Sequence, residues 1–254
     1  SFPVISYIYR QKILIDKQIL NFEGYGNYGK ILNRSKTSQY LITTDNEPCY
    51  LFADATDGAL LTFNWNGQTD MAKVFAVDEI WNRIAWFDQI FTSPLTGGYG
   101  HTGSGNEEFK FPTGIVRANA PNEYYSGGHH YFDYSIYVAD NGNDRIVKFI
   151  YQVVDSLGGW AHHVKQNSFS SVYYASSPFD IDLHTGLNDA SEIDDVLWYS
   201  SKNWNGLYAV KPSNGEIVSQ FESYIYNGEE RYILPSRICV YKSPDGQANL
   251  LACV

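Results

Sequence analysis

The chain has 254 residues, of which 16% are aromatic and only 18% are charged, and its formal net charge at pH 7 is −10. So much apolar and aromatic surface excludes an intrinsically disordered chain, and the many Tyr, Phe and β-branched residues favour strands over helices. The negative charge argues against nucleic acid as a partner, and no apolar run approaches the roughly 20 residues of a membrane-spanning helix.

The first clear unit is a hairpin predicted at residues 50–63, YLFADATDGALLTF, with its turn at 54–59. An alternating apolar run leads to a short turn that contains Asp-Gly, and a second alternating run follows. Gly, Asn and Asp accept the positive φ that tight hairpin turns require. Asn66-Gly67, Asn214-Gly215, Asn227-Gly228 and Asp245-Gly246 mark further turns of this kind.

The same unit recurs along the chain. It is clearest at 136–149, IYVADNGNDRIVKF, with a turn at 140–145, and it returns at 197–210, LWYSSKNWNGLYAV, with a turn at 201–206. Placing Asp54 on Asp140 aligns the 50–63 unit with the 136–149 unit without a gap. A weaker match lies at 77–87, VDEIWNRIAWF, where Arg83-Ile84 aligns with Arg145-Ile146.

A proline begins each of three short strands, predicted at 112–116, 178–182 and 235–239. Proline suits the first residue of a strand, where no ladder N–H is required. The order of proline-led strand, loop, strand, tight turn, strand, turn and strand describes a four-stranded antiparallel sheet. Several such sheets in series are typical of a β-propeller.

Residues 98–116, GYGHTGSGNEEFKFPTGIV, followed by 135–149, SIYVADNGNDRIVKF, resemble an NHL repeat. That family's repeat has a glycine-rich lead-in, a Pro-x-Gly strand, and a strand that ends in Ala-Asp with Asn and Arg-Ile after it. The units at 21–63 and 178–221 are similar but lack the Asn-x-Arg signature. The resemblance implies an all-β fold, a β-propeller that usually has six blades in this family, and no single activity.

We therefore expect residues 1–254 to form one NHL-like propeller of four to six four-stranded antiparallel blades. The last run, LLACV at 250–254, matches a strand in the middle of a blade. Either the N-terminal runs ISYIYRQ and KILIDKQ complete that blade and close the ring, or the chain is a piece of something longer.

Two sets of loops share one face of such a fold: the loops between blades, near 24–30, 97–110, 152–176 and 222–234, and the middle-hairpin turns. Aromatic side chains on exposed loops can stack on sugars or anchor a protein, although each could instead pack between blades. The long insertion at 118–134 is expected on the opposite face. The candidate binding residues on the first face are Tyr25, Tyr28, Tyr99, His101, Trp160, His162, His163 and Trp204.

These features predict a non-catalytic binding or scaffold module that recognises a protein or a glycan through aromatic-rich loops, with no bound cofactor. The low Lys content and the many Tyr, Asn, Gly and Ser residues favour an extracellular or cell-envelope location. A structural role within a larger assembly is compatible with the same features.

The alternative is a metal-dependent propeller enzyme of the lactonase or amidating-lyase type. In such enzymes, side chains from several blades hold a metal at the central channel, which here would be calcium or zinc. The inner-strand candidates are Asp54, Asp140, Asp182 and His184. Asp182 and His184 are two residues apart on a predicted strand and therefore share a face.

The chain has three cysteines, and none forms a CxxC pair, which argues against a structural zinc site. Cys239 and Cys253 fall in runs that we expect to be neighbouring strands. A disulfide between those strands and a pair of buried thiols both remain open, and Cys49 is left over in either case.

Overall fold

The computed structural model of the chain describes residues 40–42, 48–50, 55–65, 68–79, 81–88, 97–118, 120–156, 159–164, 171–184, 196–242 and 248–253. These residues form 22 strands and one 3-10 turn, Asn141–Asn143. The prediction of an all-β fold with four-stranded antiparallel sheets is confirmed. Within the same ranges, no helix is long and apolar enough to cross a membrane. The chain divides into two compact units, residues 1–112 and 113–254.

The first unit is built on one antiparallel sheet in which β3, β4, β5 and β6 lie in sequence order. Phe75, Val77, Ile84 and Trp86 are buried on β4 and β5, and the Phe75 and Trp86 ring centroids are 5.8 Å apart. The strands of this unit are β1 (Tyr40–Ile42), β2 (Pro48–Tyr50), β3 (Ala55–Trp65), β4 (Gln68–Asp78), β5 (Arg83–Asp88), β6 (Gly97–Tyr99), β7 (His101–Thr102) and β8 (Glu108–Phe109).

The turn predicted at 54–59 is wrong, because residues 55–65 form the single strand β3. The pairing of β3 with β4 extends to Trp65 and Gln68. The counterpart of the 140–145 turn is instead 78–83, where β4 meets β5 and Asp78 pairs with Arg83. The weaker sequence match at 77–87 therefore identifies the segment that corresponds to the 140–145 turn. The gapless match of 50–63 reflects only the similar residue types of two strands.

The described strands of the second unit form one six-stranded sheet, one four-stranded sheet and two two-stranded sheets. The proline-led strands are confirmed at Pro112 and Pro178, where β9 and β15 begin, while the third, β21, begins two residues after Pro235. The strands are β9 (Pro112–Arg117), β10 (Asn122–Ser126), β11 (His129–Asp140), β12 (Arg145–Ser156), β13 (Gly159–Val164), β14 (Ser171–Tyr174), β15 (Pro178–His184), β16 (Val196–Ser201), β17 (Gly206–Val210), β18 (Ile217–Phe221), β19 (Ser223–Tyr226), β20 (Glu229–Tyr232), β21 (Arg237–Lys242) and β22 (Ala248–Cys253).

The long hairpin β11–β12 is shared by two four-stranded arrangements. Its half next to the 140–145 turn lies between β9 and β14. Its other half lies between β10 and β13. The expected insertion loop at 118–134 and the expected inter-blade loop at 152–176 are thus largely wrong, because both segments fold into strands. We call residues 122–126, 129–134, 151–156 and 159–164 the sheet extension.

The sheet β15-β16-β17-β18 packs against the turn-side half of the β11–β12 sheet through one buried cluster. Alternation along each strand places one face of each sheet in this cluster and stabilises both sheets together. Its members are Ala118, Tyr137, Ala139, Ile146, Tyr173, Ala175, Ile181, Leu183, Leu197, Tyr199, Tyr208 and Val210.

Strands β21 and β22 are antiparallel neighbours, as expected, but the disulfide alternative is wrong. Cys239 pairs with Leu251, and Cys253 pairs with Arg237, so the two cysteines are out of register. Cys239 is a free cysteine and is exposed, which also contradicts the buried-thiol alternative for this residue.

Candidate functional site

Three turns share one design: 78–83, 140–145 and 201–206. Each begins with a buried polar residue, Asp78, Asp140 or Ser201. Asp78 accepts the N–H of Trp81 at 3.3 Å, and Ser201 accepts the N–H of Trp204 at 3.1 Å. These bonds satisfy backbone groups that a tight turn leaves unpaired.

In the 140–145 turn, the carboxylate of the first residue, Asp140, accepts hydrogen bonds from side chains. Asp140 Oδ2 accepts Arg145 Nε at 2.7 Å and Asn143 Nδ2 at 2.9 Å. The Asp-Asn-Gly-Asn-Asp run is therefore occupied in closing its own turn. The prediction that Asp140 joins Asp182 at a metal finds no support in these contacts.

A left-handed residue ends each turn: Asn82, Asp144 and Asn205, with φ of 52°, 50° and 49°. In two turns its side chain also holds the following segment. Asn82 Oδ1 accepts the N–H of Phe111 at 2.6 Å, and Asp144 Oδ1 accepts the N–H of Ser177 at 2.7 Å. Both donors directly precede the proline of a proline-led strand, so each turn fixes the start of the next such strand.

Asp182 lies on β15 and accepts two backbone N–H groups, from Val240 at 2.6 Å and from Leu183 at 2.8 Å. Burial raises the pKa of Asp182, and the two N–H groups oppose that shift. The backbone of His184 ends β15, and Asp54 lies outside the described residues. Among the residues whose placement is described, no group of three or more His, Cys, Asp or Glu side chains is positioned to hold a metal.

Two of the four predicted binding residues in the first unit, Tyr99 and His101, are described by the structure. Tyr99 is half-buried and packs edge-on against Phe109, with 6.5 Å between ring centroids. His101 is exposed, and its Nε2 lies 3.3 Å from Oε1 of Glu108. The N–H of Gly105 donates to Glu108 at 2.5 Å and lowers the pKa of that carboxyl. Tyr25 and Tyr28 lie outside the described residues.

Trp204 is exposed on the 201–206 turn and lies edge-on to Tyr208, with 5.3 Å between ring centroids. The Tyr208 hydroxyl donates to Glu222 at 2.6 Å. Burial and that hydrogen bond both raise the pKa of Tyr208. Trp204 is therefore an exposed ring that packs against Tyr208, which is itself held by Glu222.

The backbone of Trp160, His162 and His163 lies on β13, which pairs with the half of β12 farthest from the 140–145 turn. The backbone register aligns Tyr125, His130, Asp155 and Trp160 in one row across the four strands of the sheet extension.

One face of the sheet extension presents a stacked pair of rings. Tyr125 is 78% exposed, and its ring lies 4.1 Å from that of His130 at an interplanar angle of 13°. His130 is held in turn by Phe132, with 4.1 Å between ring centroids, and by Glu123, with 3.5 Å from Nε2 to Oε2. The exposed ring is consequently supported from behind rather than free to swing.

The opposite face of the sheet extension is a polar and aromatic support. The rings of Tyr124 and Tyr131 stack at 5.0 Å, within 5° of parallel. Gln152 Nε2 donates to the Tyr124 hydroxyl at 3.0 Å and to Asp133 Oδ1 at 2.7 Å. Gln152 and Asp133 are buried, so this network fixes β10 and β11 against β12.

Tyr125 and His130 were recognised in the sequence only as part of an insertion loop and not as candidate site residues. The signal that would have found them is Gly127-Gly128, because a Gly-Gly pair between alternating residues predicts a two-residue hairpin. Both glycines have positive φ, 59° and 81°, as that turn requires. A hairpin of this length places Tyr125 directly opposite His130.

No family model matches the chain, and no curated protein matches it. Among solved structures, one titled "Crystal structure of Nidogen/Laminin Complex" is similar over 70% of this chain and 68% of that chain, with 10% sequence identity and a TM-score of 0.25. A likeness at that level supports no conclusion about fold or function. The molecule's own architecture defines its class, an all-β protein built on antiparallel four-stranded sheets.

Proposed function

We propose that the chain is a β-propeller of the NHL type that acts as a binding module, with the sheet extension as its binding surface. Four-stranded antiparallel meanders and a turn design that recurs three times support the propeller. The glycine-rich lead-in and the Ala-Asp…Arg-Ile strand pair support the NHL resemblance.

The proline-led strands of the second unit also lie side by side, as the innermost strands of a propeller do. A Cβ on Gly114 of β9 would lie 3.1 Å from the Cα of Asp180 on β15, so any other residue there would need the two strands to move slightly apart. Asp180 Oδ2 also accepts the N–H of Ile238 on β21 at 2.8 Å. Strand β15 therefore contacts both the proline-led strand that precedes it and the strand β21 that follows it in the chain.

The observation that supports binding is the exposed and supported ring of Tyr125. Neither core packing nor the turn design requires an aromatic ring that is 78% exposed at the end of a hairpin. An exposed ring that is already ordered loses little conformational entropy when a ligand covers it. The side-chain contacts described above assign no chemistry to this surface, so we propose recognition and not catalysis.

We further propose an extracellular or cell-envelope location, supported by the low Lys content and the many Tyr, Asn, Gly and Ser residues. Fractionation of the source cells with an antibody against the chain tests this part. Recovery of the chain in the cytosolic fraction alone would refute it.

The binding function is tested with the purified full chain on arrays of glycans and of proteins. Tyr125→Ala should remove the main binding signal, whereas Tyr174→Ala should leave it unchanged. Tyr174 is the matched control because it is 76% exposed and lies on β14, outside the sheet extension. Equal loss in both variants, or no loss in either, would refute the assignment of the surface.

A further inference from the structure

We infer that the ligand of the sheet extension is a neutral carbohydrate, bound with one sugar ring against Tyr125. This inference rests on the proposed function, because it names the ligand class of the same surface. Three features carry it: the open face of the Tyr125 ring, the acceptors beside it, and the charge of the surface.

The Tyr125 ring is open on one side only. His130 covers the inner side at 4.1 Å, and β10 is the edge strand of the order β10-β11-β12-β13. The uncovered side of the ring thus points away from His130 and beyond the sheet. A flat, ordered aromatic face of this size matches the C–H face of a pyranose ring, which is apolar on its face and polar at its rim.

Hydrogen-bond acceptors lie beside the ring. Glu123 is on the same face of the sheet, two residues before Tyr125, and its side chain is 54% exposed. Asp155 is in the same row but lies beyond His130, on the covered side of the ring, so Glu123 supplies the acceptors near the open side. Carboxylates accept only, and bonds to them are stronger than bonds between neutral groups, so the Glu123 carboxylate suits a ligand rich in hydroxyl donors.

The charge of the surface separates neutral from acidic sugars. Residues 122–134 and 151–164 include three carboxylates, four histidines and no Lys or Arg. Glu123 and Asp155 are on the face of Tyr125, and His130 on that face already lies against Glu123. Sulfated, uronic or sialylated sugars would therefore be repelled, as would acidic peptides.

Among the side chains that the structure describes on this face, the exposed apolar surface is small, and this argues against a folded protein as the partner. A stable protein interface buries about 1,200–2,000 Å² in total and is centred on several buried anchors. Among the side chains described on this face, Tyr125 alone is a large apolar group that is mostly exposed. A single ring with acceptors beside it instead fits a ligand of a few sugar units.

The test is isothermal titration of the purified full chain with neutral tetrasaccharides of glucose, mannose, galactose and N-acetylglucosamine, and with their sulfated counterparts. We expect at least one neutral member to bind and its sulfated form to bind at least tenfold more weakly. Tyr125→Ala should weaken the neutral ligand about tenfold or more, whereas Tyr125→Phe, which keeps the ring, should stay within about threefold. Glu123→Gln should weaken it less than Tyr125→Ala does, and Tyr174→Ala should leave affinity unchanged.

The outcomes separate this inference from the proposed function. Binding of sulfated members alone, or neutral binding that Tyr125→Ala leaves intact, would overturn the inference. If no saccharide binds but a protein on the array binds in a Tyr125-dependent manner, the carbohydrate inference fails and the binding function stands. If neither class of ligand depends on Tyr125, both fail.

Discussion

The two ends of the β11–β12 hairpin differ in the role of their polar and aromatic side chains. At the turn end, Asp140 is buried and held by Arg145 and Asn143, and Asp144 holds the segment that leads into β15. At the far end, in the sheet extension, Tyr125 is exposed on a support of buried and half-buried groups. The polar residues of the repeated motif, which stand out in the sequence, therefore stabilise the turn. The candidate binding residue lies instead at the end of the hairpin where packing does not require an aromatic side chain.

The largest expected effect contrasts one aspartate at each end of the hairpin. Asp140→Ala leaves the Arg145 guanidinium without its buried partner and should cost about 3 kcal/mol. Asp155→Ala, at the sheet extension, should cost less than about 0.5 kcal/mol, as surface changes usually do. Hydrogen exchange of the β11 and β12 amides measures both. Equal costs would mean that the two ends are equally structural.

The next effect tests whether the turn design is transferable between repeats. Asp144→Ala removes the acceptor of the Ser177 N–H and places alanine at φ 50°, which should together cost about 2 kcal/mol. Asp144→Asn should stay within about 0.5 kcal/mol, because asparagine occupies the equivalent positions 82 and 205. Denaturant unfolding of the second unit distinguishes the two variants, and a costly asparagine would refute the equivalence.

A smaller and local effect is expected in the turn of the sheet extension. Gly128→Ala forces alanine to φ 81°, which should cost about 1 kcal/mol and be confined to β10 and the start of β11. Faster amide exchange in residues 122–134, with unchanged exchange near Asp140, would support independent behaviour of the two ends. Ser126→Ala, one residue before the turn, is the control and should change neither.

The smallest expected effect is the pH dependence of stability that Asp182 on β15 contributes. Burial raises the pKa of Asp182 above its usual value of about 3.9, so its ionisation favours the unfolded chain. The associated stability is complete below pH of about 4 and is lost as pH rises through the raised pKa. The difference in unfolding free energy between the wild type and Asp182→Asn should therefore shift against the wild type as pH rises from 4 to 7. A difference that changes in the opposite direction would show that the N–H groups of Val240 and Leu183 outweigh burial.

Much of the fold was predictable because its signals are local. Alternation, Asn-Gly turns and leading prolines identified the strands at 112–117, 136–149 and 197–210. The error at 54–59 arose because Ala-Asp…Asp-Gly also fits a continuous strand, and only pairing with β4 decides between the two. Pairing depends on distant residues, which a local pattern does not contain.

The candidate site was predictable only in part. The aromatic content was noticed, but the loops were assigned from the expected blade plan, which placed Trp160 and Trp204 on one face. The structure extends β11 and β12 beyond their pairing with β9 and β14, and this places Trp160 in the row of Tyr125. No composition signal encodes that extension, although the Gly-Gly turn at 127–128 does mark its end.

The contact between β15 and β21 has a consequence for sequence variation. Asp180 and Asp182 bind the backbone N–H groups of Ile238 and Val240, a feature that nearly every amino acid has in common. Substitutions at 238 and 240 should consequently be tolerated by this contact whatever their side chain, with proline as the exception. The two aspartates, by contrast, have few substitutes of the same reach. Among related sequences we therefore expect positions 238 and 240 to vary and positions 180 and 182 to remain aspartate.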